Sequence, residues 1–222
     1  MTGARRGYAK VNERIGRHVT RDELRELLDE PDGEVTMTSF DGETFSDADV
    51  SGATFSSVVF HACTFERADL SACTFTDVVF RGCRFISSSM ERCWLNRVDF
   101  HSCSAPGLGL AKGRLTGVLF EDCQLRYADF SETTVRGMTA YKTSLRESAW
   151  RATKLGKISL EQCDLSRADV FQTALAGVDL SSCDIGGLVV SNSFRELRGS
   201  IIAPEQAVDL IGLLGVRIKQ EE

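Results

Sequence analysis

Large apolar residues recur at every fifth position through most of the chain. Thirty-one multiples of five lie between Phe40 and Val190, and 29 of them hold Phe, Leu, Val, Ile, Met or Trp, while the other two hold Ala. A five-residue step turns about 140° around an α-helix and changes the face of a β-strand. Neither element keeps such residues on one side. The pattern therefore predicts a short extended piece and a turn in every five residues, returning each time to the same interior.

A second inward position lies two residues before each central apolar residue, where the side chain is usually small. All eight cysteines occupy it: Cys63, Cys73, Cys83, Cys93, Cys103, Cys123, Cys163 and Cys183. No two of them are closer than ten residues, so the spacing of a zinc knuckle is absent. We interpret them as buried free thiols that act as small hydrophobes, and we expect no metal and no cofactor.

Both ends of the repeat carry helix signals. Thr20 and Glu23 form a potential capping box, which predicts a short helix covering the first coil, after an N-terminus expected to be loosely ordered. At the other end the register fails at Arg195, and a helix is predicted between Pro204 and Gly215. The predicted domains are an N-terminal segment (1–34), a repeat domain (35–194) and a C-terminal helix and strand (195–222).

The C-terminal helix is apolar on more than one side, so covering the last coil leaves apolar residues to bury. We therefore predict a two-fold homodimer through this segment. The residues assigned to the dimer contact are Val208, Leu210, Ile211, Leu213, Leu214, Val216 and Ile218.

Composition narrows the function classes further. No apolar run approaches the length of a membrane span and no leader is visible, so the sequence predicts a cytoplasmic protein. No serine or cysteine has a histidine placed by the repeat to activate it, and an interior packed with Phe and Leu leaves no substrate cavity. A non-catalytic protein is therefore predicted.

The tandem units ADVSG (48–52), ADLSA (68–72), ADFSE (128–132) and ADVFQ (168–172) resemble the pentapeptide repeat family. The resemblance implies an all-β fold, a right-handed quadrilateral parallel β-helix with four units per coil. The 31 units would then make about eight coils at ~4.8 Å spacing, a rod roughly 38 Å long.

In such a fold every twentieth residue lies on the same side. We call side 1 the one centred on Phe40 and each twentieth residue after it; side 2 starts at Phe45, side 3 at Val50 and side 4 at Phe55. The charged residues assigned to each side give net charges of −4 on side 1, −3 on side 3 and +4 on side 4, with side 2 balanced. Charge is therefore unevenly distributed, although an Asp before the central residue also serves to satisfy turn backbone groups.

The tail PEQAVDLIGLLGVRI resembles the C-terminal segment of the quinolone-resistance, DNA-mimic type of pentapeptide repeat protein. That resemblance implies a dimer that binds DNA gyrase or topoisomerase IV and shields the enzyme from fluoroquinolones or related toxins. The candidate contacts with the enzyme are acidic residues of sides 1 and 3: Asp49, Asp69, Asp99, Glu121, Asp122, Asp129 and Glu132.

Two other functions stay open. One is a structural scaffold for an unknown partner. The other is direct nucleic-acid binding through side 4, which is not expected, because the net charge is −6 and few aromatics are predicted to be exposed. Residues 104–113 also leave open an in-phase ten-residue loop, which would rotate every later side assignment by half a coil.

Overall fold

The computed structural model describes residues 7–12, 15, 18–20, 22–24, 34–213 and 215–216 of the chain. Twelve strands follow one another in the described residues: β1 Glu34–Asp41, β2 Thr44–Ser46, β3 Thr54–His61, β4 Thr64–Glu66, β5 Thr74–Arg81, β6 Arg84–Ile86, β7 Trp94–His101, β8 Arg114–Glu121, β9 Thr134–Val135, β10 Met138–Tyr141, β11 Lys154–Leu155 and β12 Ile158–Glu161. Two 3-10 helices, η1 Arg195–Leu197 and η2 Pro204–Gln206, precede the helix α1 Ala207–Leu213.

All the strand pairs are parallel and join residues twenty apart, as Phe40↔Phe60 and Phe80↔Phe100 illustrate. One sheet stacks β1-β3-β5-β7-β8-β10-β12, and a second stacks β2-β4-β6. A twenty-residue parallel repeat is a coil of four five-residue units. The structure therefore confirms the parallel β-solenoid and the assignment of residues to four sides.

The winding departs slightly from the expected eight coils. The seven strands from β1 to β12 make about six turns. Isolated bridges such as Asp169↔Val189 continue the winding beyond them, so the last levels are joined by single bridges rather than by strands.

The stretch 104–113 stays in the coil. Ser104 bridges to Arg84 below it and to Gln124 above it, and Gly109 bridges to Ser89 and Asp129 in the same way. There is no projecting loop at this point, so the side assignments after it stand.

Aromatic stacking fills the N-terminal half of the interior. The rings of Phe60, Phe80 and Phe100 stack nearly parallel along side 1, with centroids 4.9 Å and 4.7 Å apart. Phe45, Phe65 and Phe85 form a second ladder on side 2. Further along, smaller side chains surround a void of about 20 Å³, lined by Trp150, Leu160 and Leu165 among others. That volume is about the size of one water molecule.

The cysteines are free and buried, as predicted, but they also do something the sequence analysis missed. Seven of the eight thiols, all but that of Cys163, lie within hydrogen-bonding distance of a backbone carbonyl of the preceding coil: Cys103 Sγ, for example, is 3.4 Å from the Phe80 carbonyl oxygen. Thr143 occupies the same column and donates its hydroxyl to the Phe120 carbonyl at 3.1 Å. Where the small inward position holds one of these cysteines or Thr143, its side chain is therefore a hydrogen-bond donor that links one coil to the next.

The N-terminal end is closed as expected. Thr20 N–H donates to the Glu23 carboxylate at 2.7 Å and Glu23 N–H lies 3.4 Å from Thr20 Oγ1, which confirms the capping box. Residues 22–24 are helical and Leu24 is buried. The chain just before them pairs with the first coil, because Val19 N–H donates to the Ser39 carbonyl at 2.9 Å.

The C-terminal end is closed by a glutamine. Val170 N–H donates to Val189, nineteen residues on, but Leu175 N–H donates to Glu196, twenty-one residues on, so the last turn contains two extra residues. Gln206 is then buried over the final coil and donates its amide to the carbonyls of Leu180 and Cys183 at 2.9 Å and 2.6 Å. Its side chain supplies donors that a further coil would otherwise provide.

Candidate functional site

Side 3 presents exposed carboxylates on neighbouring coils. Asp49 and Asp69 are bridge partners on consecutive levels, and both are exposed. The column continues through Ser89 and Gly109 to Asp129, which is half-buried. The acidic column predicted from the sequence therefore exists as the pair Asp49 and Asp69, followed after two uncharged residues by Asp129 and, beyond Ala149, by Asp169.

Each of these aspartates also has a structural role. Asp49 accepts the N–H of Ser51 at 3.0 Å, and Asp69 accepts the N–H of Ser71 at 2.8 Å. The same turn bond appears on side 2, where Asp164 and Asp184 accept from Ser166 and Gly186. The bond from Ser51 lowers the pKa of Asp49. The aspartate of the repeat thus stabilises its turn and still shows a charged oxygen to solvent.

Side 1 differs from expectation because the N-terminus lies along it. The N–H groups of Tyr8 and Ala9 donate to the two oxygens of Asp99 at 2.8 Å and 3.1 Å, and Lys10 N–H donates to Asp77 at 2.9 Å. Asp99 is only 3% exposed. The prediction that Asp99 is a surface contact is therefore wrong, and so is the expectation of a loosely ordered N-terminus for the residues described there.

We call residues 7–12, 15 and 18–20 the N-terminal strap. Besides Asp99, it contacts the solenoid at Ser39, which bridges to His18, and at Thr139, whose hydroxyl lies 3.0 Å from the Tyr8 hydroxyl. The outward positions between these contacts are buried and apolar: Val59, Val79 and Leu119. We attribute their burial to the strap.

The Tyr8 ring lies against Gly117. A Cβ added at Gly117 would be 3.0 Å from Tyr8 Cδ1, and this glycine also has a positive φ of 65°. Backbone conformation and close approach both favour glycine here. The sequence carries a signal for the strap: VVF at 58–60 and 78–80 and VLF at 118–120 repeat an apolar residue at the outward position before the central residue on three levels of side 1.

The other candidate acids fall into two groups. Glu121 is half-buried and lies 2.9 Å from His101 Nδ1, so it already has a partner on side 1. Glu132 is exposed, 3.9 Å from Lys112 Nζ, and Asp122 is exposed at the corner after Phe120. The exposed candidates are therefore Asp49, Asp69, Asp122 and Glu132, with Asp129 partly exposed.

The predicted dimer residues are partly exposed. Val208, Ile211 and Val216 are 53%, 36% and 53% exposed, whereas Leu210 packs against the core and Leu213 is half-buried. Leu214 and Ile218 lie outside the described residues. Ile201, in the last bridge of the solenoid, adds another exposed apolar side chain near this end.

Little in the described part of the chain resembles a catalytic centre. His18 Nδ1 lies 2.9 Å from Ser39 Oγ, but this hydroxyl is buried beneath the strap. Burial raises the pKa of the Cys73 thiol to about 12, which disfavours the nucleophilic thiolate. Among the residues with described positions, no group of three or more His, Cys, Asp or Glu side chains could hold a metal ion. The described helices include none long and apolar enough to cross a membrane.

Comparison with known families gives a match to the model described as "Pentapeptide repeat region", over residues 53–130 and 73–150. These residues are the stacked coils described above. Residues 53–150 are therefore a pentapeptide repeat region. A comparison with curated protein sequences gives no match.

Among solved structures, this chain is similar to QnrB1, a plasmid-mediated fluoroquinolone resistance protein, with 18% identity over 90% of this chain and 96% of that one and a TM-score of 0.52. It is also similar to HetL of the cyanobacterium Nostoc sp. strain PCC 7120, involved in heterocyst differentiation regulation, with 17% identity over 76% of this chain and 86% of that one and a TM-score of 0.43. At these identities the likeness to QnrB1 shows the shared fold.

Proposed function

We propose that this protein is a non-catalytic DNA mimic that binds DNA gyrase or topoisomerase IV and modulates their inhibition by quinolone-type drugs. The observation that carries the proposal is the exposed pair Asp49 and Asp69 on consecutive coils of side 3. Support also comes from the match to QnrB1 over nearly the full length of both chains. The resemblance of the tail to the quinolone-resistance type points the same way.

Charge density sets the expected strength of the mimicry. Duplex DNA carries one negative charge per ~1.7 Å of axis, whereas one column of the solenoid offers at most one carboxylate per coil, ~4.8 Å. Ser89 and Gly109 are uncharged residues within this column, so they lower its charge density further. We therefore expect binding to basic DNA-gripping surfaces to be salt-sensitive, with a smaller salt dependence than that of duplex DNA itself.

The acidic surface in this proposal is side 3, because the strap covers the centre of side 1. Asp49, Asp69, Asp129 and Glu132 contribute to it, and Asp122 adds a charge at the corner of sides 1 and 2. Glu121 lies 2.9 Å from His101 Nδ1, so its contact with the enzyme would compete with this existing partner.

A homodimer through α1 is part of the same proposal. Val208, Ile211 and Val216 expose apolar surface beyond the buried Gln206, which fixes the start of α1 on the last coil. Pairing these side chains across a two-fold axis would remove them from water and lengthen the rod. Light scattering should give twice the chain mass, and Val208→Asp with Ile211→Asp should give the monomer. Ile86→Asp, at a similarly exposed position on side 2, should leave the mass unchanged.

The test of function is gyrase supercoiling with and without ciprofloxacin, titrated with this protein at two salt concentrations. Protection or salt-sensitive inhibition is expected, and Asp49→Asn with Asp69→Asn should weaken it. The matched control is Asp164→Asn with Asp184→Asn, a pair on consecutive levels of side 2 that makes the same turn bonds. Equal loss in both double variants would contradict the assignment to side 3.

A structural scaffold for another partner is the second candidate. The turn bonds of Asp49 and Asp69 favour it, because they explain these aspartates without any partner. A wild-type protein that has no effect on gyrase or topoisomerase IV at either salt concentration would support the scaffold and reject the mimic.

A further inference from the structure

Side 4 carries a continuous group of basic side chains with few acidic neighbours. Arg114, Arg136, Lys154 and Lys157 are all exposed, and within the described residues no ion pair engages any of them. Arg97 is different, because its guanidinium binds the Asp77 carboxylate with nitrogen to oxygen distances of 2.7 Å and 2.5 Å. The surface from Arg114 onward is therefore a basic stripe that no ion pair among the described residues neutralises.

The stripe continues across the register break. Leu175 and Gly177 N–H groups donate to the carbonyls of Glu196 and Gly199, which places this last segment on top of side 4. Arg195 and Arg198 are exposed there. Glu196 does not cancel them at the surface, because it is buried and its carboxylate accepts the Gln172 N–H and the Ser191 hydroxyl.

An exposed tryptophan lies at the other end of the stripe. Trp94 is 51% exposed and is the register partner of Arg114, which is followed in the same column by Thr134 and Lys154. The only other tryptophan, Trp150, is in the core and 3% exposed. A large indole left in water one coil, ~4.8 Å, from Arg114 forms an aromatic platform at the head of the basic stripe.

We infer that side 4 binds single-stranded nucleic acid, with the backbone along the stripe and a base stacked on Trp94. Single strands are held by this combination of a basic track and exposed aromatic rings. Side 3, which adjoins side 4, exposes carboxylates such as Glu132, so a duplex wider than one side would place its second strand over them. From Trp94 to Arg195 the stripe crosses about five levels, roughly 24 Å, enough for about four nucleotides.

This inference reverses the expectation drawn from composition. The overall charge of −6 counts against polyanion binding only if charge is spread evenly, and here one side concentrates the cations. The exposed ring of Trp94 supplies the stacking group that the sequence analysis did not find. An acidic peptide would satisfy the cations but would give no role to the indole. The inference does not rest on the proposed binding to gyrase.

The experiment follows the fluorescence of Trp94 while a short oligothymidylate is titrated into the full-length protein at several salt concentrations. Saturable quenching is expected, with affinity that falls as salt rises. Arg114→Gln with Lys154→Gln should lower the slope of log affinity against log salt by about 1.4, since each single-strand phosphate contact contributes about 0.7. Trp94→Phe, followed by anisotropy of a labelled oligonucleotide, should weaken binding several-fold and leave the slope unchanged.

The controls are on side 2. Arg167→Gln removes an exposed cation, and Tyr127→Phe changes an aromatic residue that is 52% exposed, close to the value for Trp94. Both should bind as the wild type does. Absence of saturable binding at low salt would overturn the inference, as would equal losses in the control variants. If polyglutamate competes more strongly than the oligonucleotide, the partner is an acidic polypeptide and the inference is rejected. Tighter binding to duplex DNA than to the single strand would also reject the inference.

Discussion

The buried Asp99 carboxylate should hold the N-terminal strap to the solenoid. Asp99→Asn keeps the shape of the side chain but replaces one of two acceptor oxygens by an amide NH₂, which would face a backbone N–H of Tyr8 or Ala9. A hydrogen bond to a charged acceptor contributes about 1.5–3 kcal/mol, so losing one should weaken docking of the strap by about 2 kcal/mol. Because 1.4 kcal/mol corresponds to a factor of ten, the strap should open about 30-fold more often.

Hydrogen exchange measures this opening directly. The amides of Tyr8 and Ala9 should be protected in the wild type and should exchange about 30-fold faster in Asp99→Asn. Trypsin cleavage after Lys10 should accelerate in parallel. Gly7→Ala tests the same contact from the other partner, because its Cβ would lie 1.9 Å from Asp99 Oδ2 and force the strap or the carboxylate to move.

The matched control is Asp129→Asn. Asp129 accepts the Ser131 N–H and, among the described residues, makes no contact with the strap. It should leave the exchange of Tyr8 and Ala9 unchanged. The reasoning is refuted if these two amides are unprotected in the wild type, or if Asp99→Asn and Asp129→Asn change their exchange equally.

Three further predictions concern the stability of the solenoid and are tested by urea unfolding. Gln206→Ala should cost about 2 kcal/mol, because two coil-end carbonyls lose their donor; Glu205→Ala, exposed beside it, should cost little. Phe80→Ala should cost about 3–5 kcal/mol, because it removes the centre of a ring stack, whereas the exposed Phe171→Ala should cost under about 0.5 kcal/mol. The Arg97 guanidinium lowers the pKa of Asp77, so this pair should stabilise the fold at neutral pH and lose its effect as the pH falls below about 4. Asp77→Asn should thus be less stable than the wild type near pH 7, and the difference in unfolding free energy should vanish in acid. A difference that stays constant with pH would contradict the role of the Asp77 pair. Equal losses of stability in Gln206→Ala and Glu205→Ala, or in Phe80→Ala and Phe171→Ala, would contradict the other two assignments.

The interior could be predicted from the sequence because each five-residue unit repeats the same pattern of inward and outward positions. The large apolar residue at the centre of each unit and the small residue two positions earlier are visible in a single sequence. Once four units are taken to form one coil, it follows that residues twenty apart stack on each other. The free thiols were predictable for the same reason. The sequence alone left open an in-phase loop at 104–113, because ten inserted residues would leave the five-residue register unchanged.

The strap could not be predicted by the same argument, because it depends on contacts between segments about ninety residues apart. Asp99 looks like any other aspartate of the repeat, yet a segment outside the repeat donates two backbone hydrogen bonds to it and buries it. The apolar outward residues Val59, Val79 and Leu119 were the only local sign of this cover. The net charge summed for side 1 likewise overstated its exposed negative charge, because it counted the buried Asp99 and the paired Glu121 as free surface carboxylates.

Displacement of DNA from gyrase tests the central claim, that the outer surface of the solenoid acts by presenting carboxylates in place of phosphates. Fluorescently labelled duplex bound to gyrase should be released as this protein is added, with weaker release at higher salt and much weaker release by Asp49→Asn with Asp69→Asn than by the side 2 control pair. A complex in which gyrase holds the duplex and this protein together, with the DNA affinity unchanged, would contradict the account.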